Sequence, residues 1–267
     1  MAEKGRPQTL GMHITTTKFL GSEEVAHYIF EKLRLLPTKY HPTKSEYYTS
    51  KNKGKFSFDN PNEFITKVPG DYRYGGYASL YKVKQIFSIY IKWTRCPESL
   101  VSETDLVYNT IWIHFDDGMG LINNSKEFSI VESIWLDLCK FLHSWYGECH
   151  LYSNDESSNN YLGWGFGRCI PRLHWKTYFG EAYKQLIPVQ EIDFEGTCEV
   201  DIFTNEGFIL TINDDPRNLV TRSDLERKII NKLGSNLFWN EHDNRLSPKG
   251  EYKIPNLDYS EVIYRNF

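Results

Sequence analysis

Polar and apolar positions along this chain switch repeatedly between a strand period of two and a helical period near 3.6. The β-branched Ile14, Thr16 and Thr17 predict a strand over residues 11–20. Ser22 then suits the N-cap of a helix with Glu23 and Glu24 in its first turn. Val25, Ile29, Leu33 and Leu36 form its apolar stripe, and Pro37 stops it. Residues 38–75 are polar, Lys-rich and Tyr-rich, and read as a long insertion anchored by Phe56, Phe58, Phe64 and Ile65. Alternation predicts strands over 77–83, 86–93 and 110–115. Ser129 and Glu132 have capping-box spacing for a helix through Val131, Ile134, Trp135, Leu138, Leu142 and Trp145, closed by Gly147. A short strand at His150–Tyr152 follows.

The order strand, helix, strands, helix, strand makes residues 1–153 a ferredoxin-like α+β layer carrying the 38–75 insertion. The acidic, Ser/Asn-rich stretch Asn154–Asn160 is the best boundary, so residues 154–267 form a second α+β half packed on the first. Trp175, Tyr178, Phe179, Ala182, Tyr183 and Leu186 fall at helical spacing and predict an aromatic helix that holds Gly180 inside it. A hairpin follows, Cys198–Thr204 and Phe208–Asn213, turning at Asn205-Glu206-Gly207. Ser223 and Glu226 cap a helix through Leu225, Ile229, Ile230 and Leu233 to Gly234. The polar tail from Asn240 reads as an extended arm packed through Ile254, Leu257 and Tyr264. The expected fold is therefore α+β, an antiparallel or mixed sheet with helices on one face.

Composition narrows the function classes. The chain of 267 residues is 40% hydrophobic, with 16 Phe, 18 Tyr and 7 Trp, which argues for a packed core rather than disorder. A net charge of −4 gives no electrostatic reason to bind nucleic acid or an anionic membrane. The five cysteines form no CxxC pair, which fits a reducing compartment. Neither a signal peptide nor a transmembrane stretch is evident, so a soluble, cytoplasmic protein is expected.

Candidate chemistry is sparse. Gly163-Trp-Gly-Phe-Gly167 has its third glycine one residue too early for a dinucleotide loop and reads as a turn with two aromatic anchors. His114 with Asp116 and Asp117 offers acid–base groups at a strand end, although Asp-Asp-Gly is equally a turn signal. The remaining histidines show no zinc-site spacing, and no metal or other cofactor is expected. Cys169, ahead of the aromatic segment, is weighed as a nucleophile at a helix N-terminus and as a buried structural thiol. Acidic residues concentrate late, at Glu199, Asp201, Asp214 and Asp215, and strand alternation puts Glu199 and Asp201 on one face. They read as a solvated strand face or, with exposed aromatics such as Tyr72 and Tyr74, as a patch suited to steering and anchoring a basic protein partner.

The segment from Trp135 to Gly234 resembles bacterial immunity proteins of polymorphic toxin systems, in particular the immunity protein 52 family. The resemblance rests on the helix Val131–Trp145, the loop Gly163–Gly167, Trp175 with Tyr178, Phe179, Gly180 and Tyr183, the acidic stretch, and the helix ending in Lys232-Leu233-Gly234. It implies a non-enzymatic cytoplasmic protein that binds a cognate toxin, with 1:1 stoichiometry, and blocks its active or substrate site. Two alternatives stay open: a subunit of an antiviral or other conflict-system complex, and a hydrolase or nuclease using His114, Asp116 and Asp117.

Overall fold

The structure, a computed structural model, describes residues 8–47, 49–61, 75–84, 86–98, 108–153, 169–170, 172–216, 223–240, 242–243 and 249–264. Ten strands form one sheet: β1 (Gln8–Thr16), β2 (Lys44–Tyr47), β3 (Thr49–Lys55), β4 (Gly75–Tyr81), β5 (Phe87–Thr94), β7 (Asn109–Phe115), β8 (Tyr146–Ser153), β9 (Lys176–Phe179), β10 (Cys198–Phe203) and β11 (Gly207–Ile212). Their order is β10-β11-β9-β8-β1-β7-β5-β4-β2-β3, and every neighbouring pair is antiparallel. A two-stranded parallel ribbon pairs β6 (Cys96–Pro97) with β12 (Ile263–Tyr264) and brings the C-terminal tail back onto the first half.

At the centre of the sheet lies the expected ferredoxin-like arrangement. The strands flanking the two main helices are β1, β5, β7 and β8, and they stand side by side as β8-β1-β7-β5. Helix α1 (Glu23–Arg34) follows β1, and α3 (Ser125–Phe141) leads into β8 after the short α2 (Gly118–Asn123). The insertion does more than loop out, since its β2 and β3 pair on beyond β4 and lengthen the sheet. The other end continues through β9, β11 and β10 with no break in strand pairing between the two sequence halves.

Pleating sends alternate side chains to opposite faces, and the two faces are covered differently. Met12, Ile14, Ile89, Ile111, Ile113, Cys149 and Tyr178 point toward α1 and α3, where Val25, Ile29, Leu33, Ile134, Trp135 and Leu138 meet them. Fully burying one such side chain stabilises the fold by about 1.5–3 kcal/mol relative to leaving it in water. Trp135 Nε1 also donates to the His13 carbonyl at 3.1 Å, which ties α3 to the sheet centre. Phe179, next to Tyr178, points the other way, into a second core with Phe208, Leu210, Ile229 and Leu233. Helices on one face is thus right for α1 and α3, whereas α5 (Asp224–Leu233) packs on the opposite face at the far end.

Local signals fixed several element ends and misled at others. Ser22 caps α1 by accepting from Val25 N, and Ser223 caps α5 by accepting from Glu226 N, both as expected. Gly234 closes α5 with φ of 112°, a backbone region that suits glycine. The first strand sits earlier than expected, at Gln8–Thr16. Helix α3 begins a turn earlier too, because Asn124 caps it by accepting from Glu127 N. Ser129 therefore lies inside the helix, and Glu132 is turned toward the sheet, to Lys176 Nζ at 2.6 Å. The helix ends at Leu142 with His143 at φ of 46°, so Gly147 is a strand residue of β8 and Trp145 stands outside the helix.

The aromatic segment gives the largest correction. Lys176–Phe179 is the strand β9, and only Glu181–Lys184 is helical, as the single turn α4. A helix would have carried Tyr178 and Phe179 round one side, but in the strand they enter opposite cores. Gly180 marks the break, since a Cβ there would sit 2.0 Å from the Ser144 carbonyl oxygen. Gly207 faces the same junction at φ of 114°, the left-handed position expected in the β10–β11 turn. In the tail, Val262 and the half-buried Leu257 pack while Ile254 stays exposed.

Candidate functional site

The face of the sheet turned away from α1 and α3 carries polar and ring-bearing side chains at its centre. On β8, Glu148 and His150 share that face two residues apart. Across on β1, His13 is registered with Glu148 and Gly11 with His150. One strand further, Trp112 of β7 lies opposite His13, and His114 lies opposite Gly11. From the other side, Thr177 of β9 is registered with Glu148, and His174 just before it leans in over the same spot.

Glu148 is the centre of this cluster and is almost fully buried. His13 Nδ1 lies 2.7 Å from Oε1, and His174 Nε2 lies 2.7 Å from Oε2. The Tyr146 hydroxyl oxygen lies 3.5 Å from Oε2, and His150 Nδ1 stands 3.8 Å from Oε1. A carboxylate only accepts, so Nδ1 of His13 carries the shared proton. His13 Nε2 in turn faces His114 Nε2 at 3.4 Å, and Trp112 stacks on the His13 ring at 4.7 Å. His174 makes a close ion-pair approach to the carboxylate's other oxygen.

The charges follow from this packing. Burial by itself would raise the Glu148 carboxyl, but the facing His174 and the hydrogen bond from His13 outweigh it and hold Glu148 well below the usual carboxylate range. Burial, with His13 adding to it, pushes His114 down to about 3. Burial and the neighbouring His174 likewise push His150 well below the ordinary histidine value. A buried anion is thereby held among imidazoles.

His174 is placed by contacts that the sequence does not announce. Leu173 N donates to Glu226 of α5 at 2.9 Å, and the Tyr146 hydroxyl donates to the Arg172 carbonyl at 3.3 Å. His174 N donates to Thr177 Oγ1 at 3.1 Å. Glu226 is buried and spends its carboxylate on this segment, with Arg172 Nε 3.8 Å away. Of the expected capping box, the Ser223 half forms, with Glu226 N donating to Ser223 Oγ at 3.2 Å.

The predicted site residues fare unevenly. Asp116 and Asp117 stay on the turn after β7, where Asp117 caps α2 by accepting from Gly120 N at 2.8 Å. His114 instead turns to His13, with the two Nε2 atoms 3.4 Å apart. Cys169 is a buried thiol beside the Ile170–Phe238 bridge, and no helix starts there among the described residues. Glu199 and Asp201 are exposed on one face of β10, as alternation requires, and Asp214 is exposed beyond the end of β11 with Asp215 half-buried. Tyr178, Phe179, Gly180 and Tyr183 are buried and Trp175 half-buried against Phe128, so the aromatic signature is core. Tyr72, Tyr74, Phe64, Ile65, the loop Asn154–Asn160 and the turn Gly163–Gly167 lie outside the described residues.

The His–Glu cluster is what the sequence reading missed. The one local trace of it was Glu148-x-His150, a spacing that puts both side chains on one face of a strand. Among the described residues, no helix is long and apolar enough to cross a membrane.

No family model matches the chain, and no curated protein matches it. Among solved structures, the chain is similar to the Pseudomonas aeruginosa T6SS protein PA0821 at 11% identity, with a TM-score of 0.56, covering 85% of this chain and 75% of that one. At that identity the likeness is one of fold, and it extends over most of the ten-stranded architecture.

Proposed function

We propose that this chain is a non-enzymatic immunity protein of a bacterial conflict system, which binds a cognate toxin domain 1:1 in the cytoplasm and covers its active or substrate site. One observation carries the reading: the sheet ends on β10, a strand whose outer edge pairs with no other strand among the described residues. Exposed Glu199 and Asp201 line one of its faces, and Ile202, 40% exposed, stands on the other. An open edge offers backbone donors and acceptors to an incoming strand. Flanking carboxylates steer a basic partner and raise its association rate more than its final affinity. The fold shared with a T6SS protein adds support of a general kind.

The hydrolase reading is the weaker one, since Asp117 is engaged as the cap of α2 and His114 faces His13. The decisive experiment co-expresses the full chain with the toxin domain encoded beside it. A stable 1:1 complex and protected cells are the expected result. Absence of binding at micromolar concentrations of both proteins would overturn the reading.

A further inference from the structure

We propose that Glu148, His150 and His174 form a binding site for one divalent transition-metal ion of the zinc class. Each residue presents one donor atom, and these atoms lie within 4.8 Å of one another. Two imidazoles and a carboxylate are a donor set that zinc accepts, leaving a fourth position for water. Tetrahedral donors about 2.1 Å from zinc stand about 3.4 Å apart. His174 Nε2 lies 2.7 Å from Glu148 Oε2 and His150 Nδ1 lies 3.8 Å from the other oxygen, so both imidazoles converge on one carboxylate. Hard cations such as calcium and magnesium prefer an all-oxygen shell and suit this set poorly.

Burial supports the assignment alongside distance. His174 is 7% exposed, and its Nε2 faces a buried carboxylate oxygen at 2.7 Å. The surroundings resemble a prepared outer shell. His13 Nδ1 donates to Oε1 of Glu148 at 2.7 Å and fixes the carboxylate, leaving Oε2 toward His174. Thr177 and Glu226 fix the backbone on either side of the His174 ring. Such outer partners orient ligands and sustain metal affinity. The ion would link β8 to the segment ahead of β9 and so join the central sheet to the second core. This inference does not depend on toxin binding.

The test uses the full chain, stripped with a chelator and titrated with zinc chloride by calorimetry, with cobalt(II) absorption as a report on geometry. One equivalent of zinc should bind and raise the melting temperature, and cobalt should give the bands of a low-coordinate nitrogen–oxygen site. His150→Ala, at the half-buried edge of the cluster, should weaken zinc more than about 100-fold, beyond the loss that an outer-shell change produces. Glu148→Gln should do the same, whereas His27→Ala, on the exposed side of α1, should leave zinc binding intact. The proposal is overturned if the folded chain takes up no stoichiometric zinc, or if His150→Ala and Glu148→Gln bind it as tightly as the parent chain does.

Discussion

His13 and Glu148 face each other across β1 and β8, and His13 Nδ1 approaches Glu148 Oε1 to 2.7 Å. Both side chains are almost fully buried. The pair is a hydrogen-bonded anion in the middle of the sheet, with His174 on its other oxygen. Removing one member of a buried ionic network strands the rest, at a cost of about 3–5 kcal/mol. Glu148→Ala should therefore lower the unfolding free energy by about that amount in urea denaturation. Glu148→Gln keeps an acceptor for His13 and should cost less. Equal, small losses for both would show that the carboxylate is not structurally committed.

Acid should weaken the fold through the same cluster. His114 is pushed down to about 3 by burial, so as pH falls from its ordinary value near 6.5 the unfolded chain takes up a proton before the folded one does. The stability associated with a neutral His114 is complete above about 6.5 and drains away down to about 3. Thermal melts between those limits should show a falling melting temperature, and His114→Gln should flatten the slope. A variant slope identical to the parent would remove His114 from the account.

Gly180 is a packing requirement rather than a flexible joint. Its φ is an ordinary −69°, yet a Cβ would lie 2.0 Å from the Ser144 carbonyl oxygen and 2.9 Å from Trp145 Cα. Those are backbone atoms and cannot rotate away. Gly180→Ala should destabilise the protein by about 1–3 kcal/mol through overpacking. Gly196→Ala, with nothing within 4 Å but φ at 70°, isolates backbone strain alone and makes a useful companion. Chemical denaturation of both variants would separate the two causes.

If β10 is the docking edge, charge reversal there should change encounter more than folding. Glu199→Lys with Asp201→Lys should leave the melting temperature within about 1 °C, as exposed substitutions usually contribute under 0.5 kcal/mol. The association rate with the toxin domain should drop severalfold at low salt, and the difference should shrink as salt screens the charges. Stopped-flow association across ionic strengths would measure this. Rates that ignore both the charges and the salt would move the interface elsewhere.

The sequence determined by itself what depends on neighbouring residues. Ser22 and Ser223 capped their helices where expected because a side chain three residues away satisfies a free N–H. Ile89 and Ile91, like Ile111 and Ile113, alternated because a pleated strand half-buried on one face leaves that imprint. The same local logic failed for Trp175–Tyr183, because helical spacing of aromatics is also what a strand buried on both faces followed by a turn produces. Only the tertiary structure decided between them, by pressing Gly180 against Ser144 and dividing Tyr178 and Phe179 between two cores. The His–Glu cluster was hidden for a related reason. His13 and Glu148 are 135 residues apart, and nothing near either of them signals the other. Their meeting follows from strand order, with β1 inserted between β7 and β8, and that order is set by the packing of whole layers rather than by any local pattern.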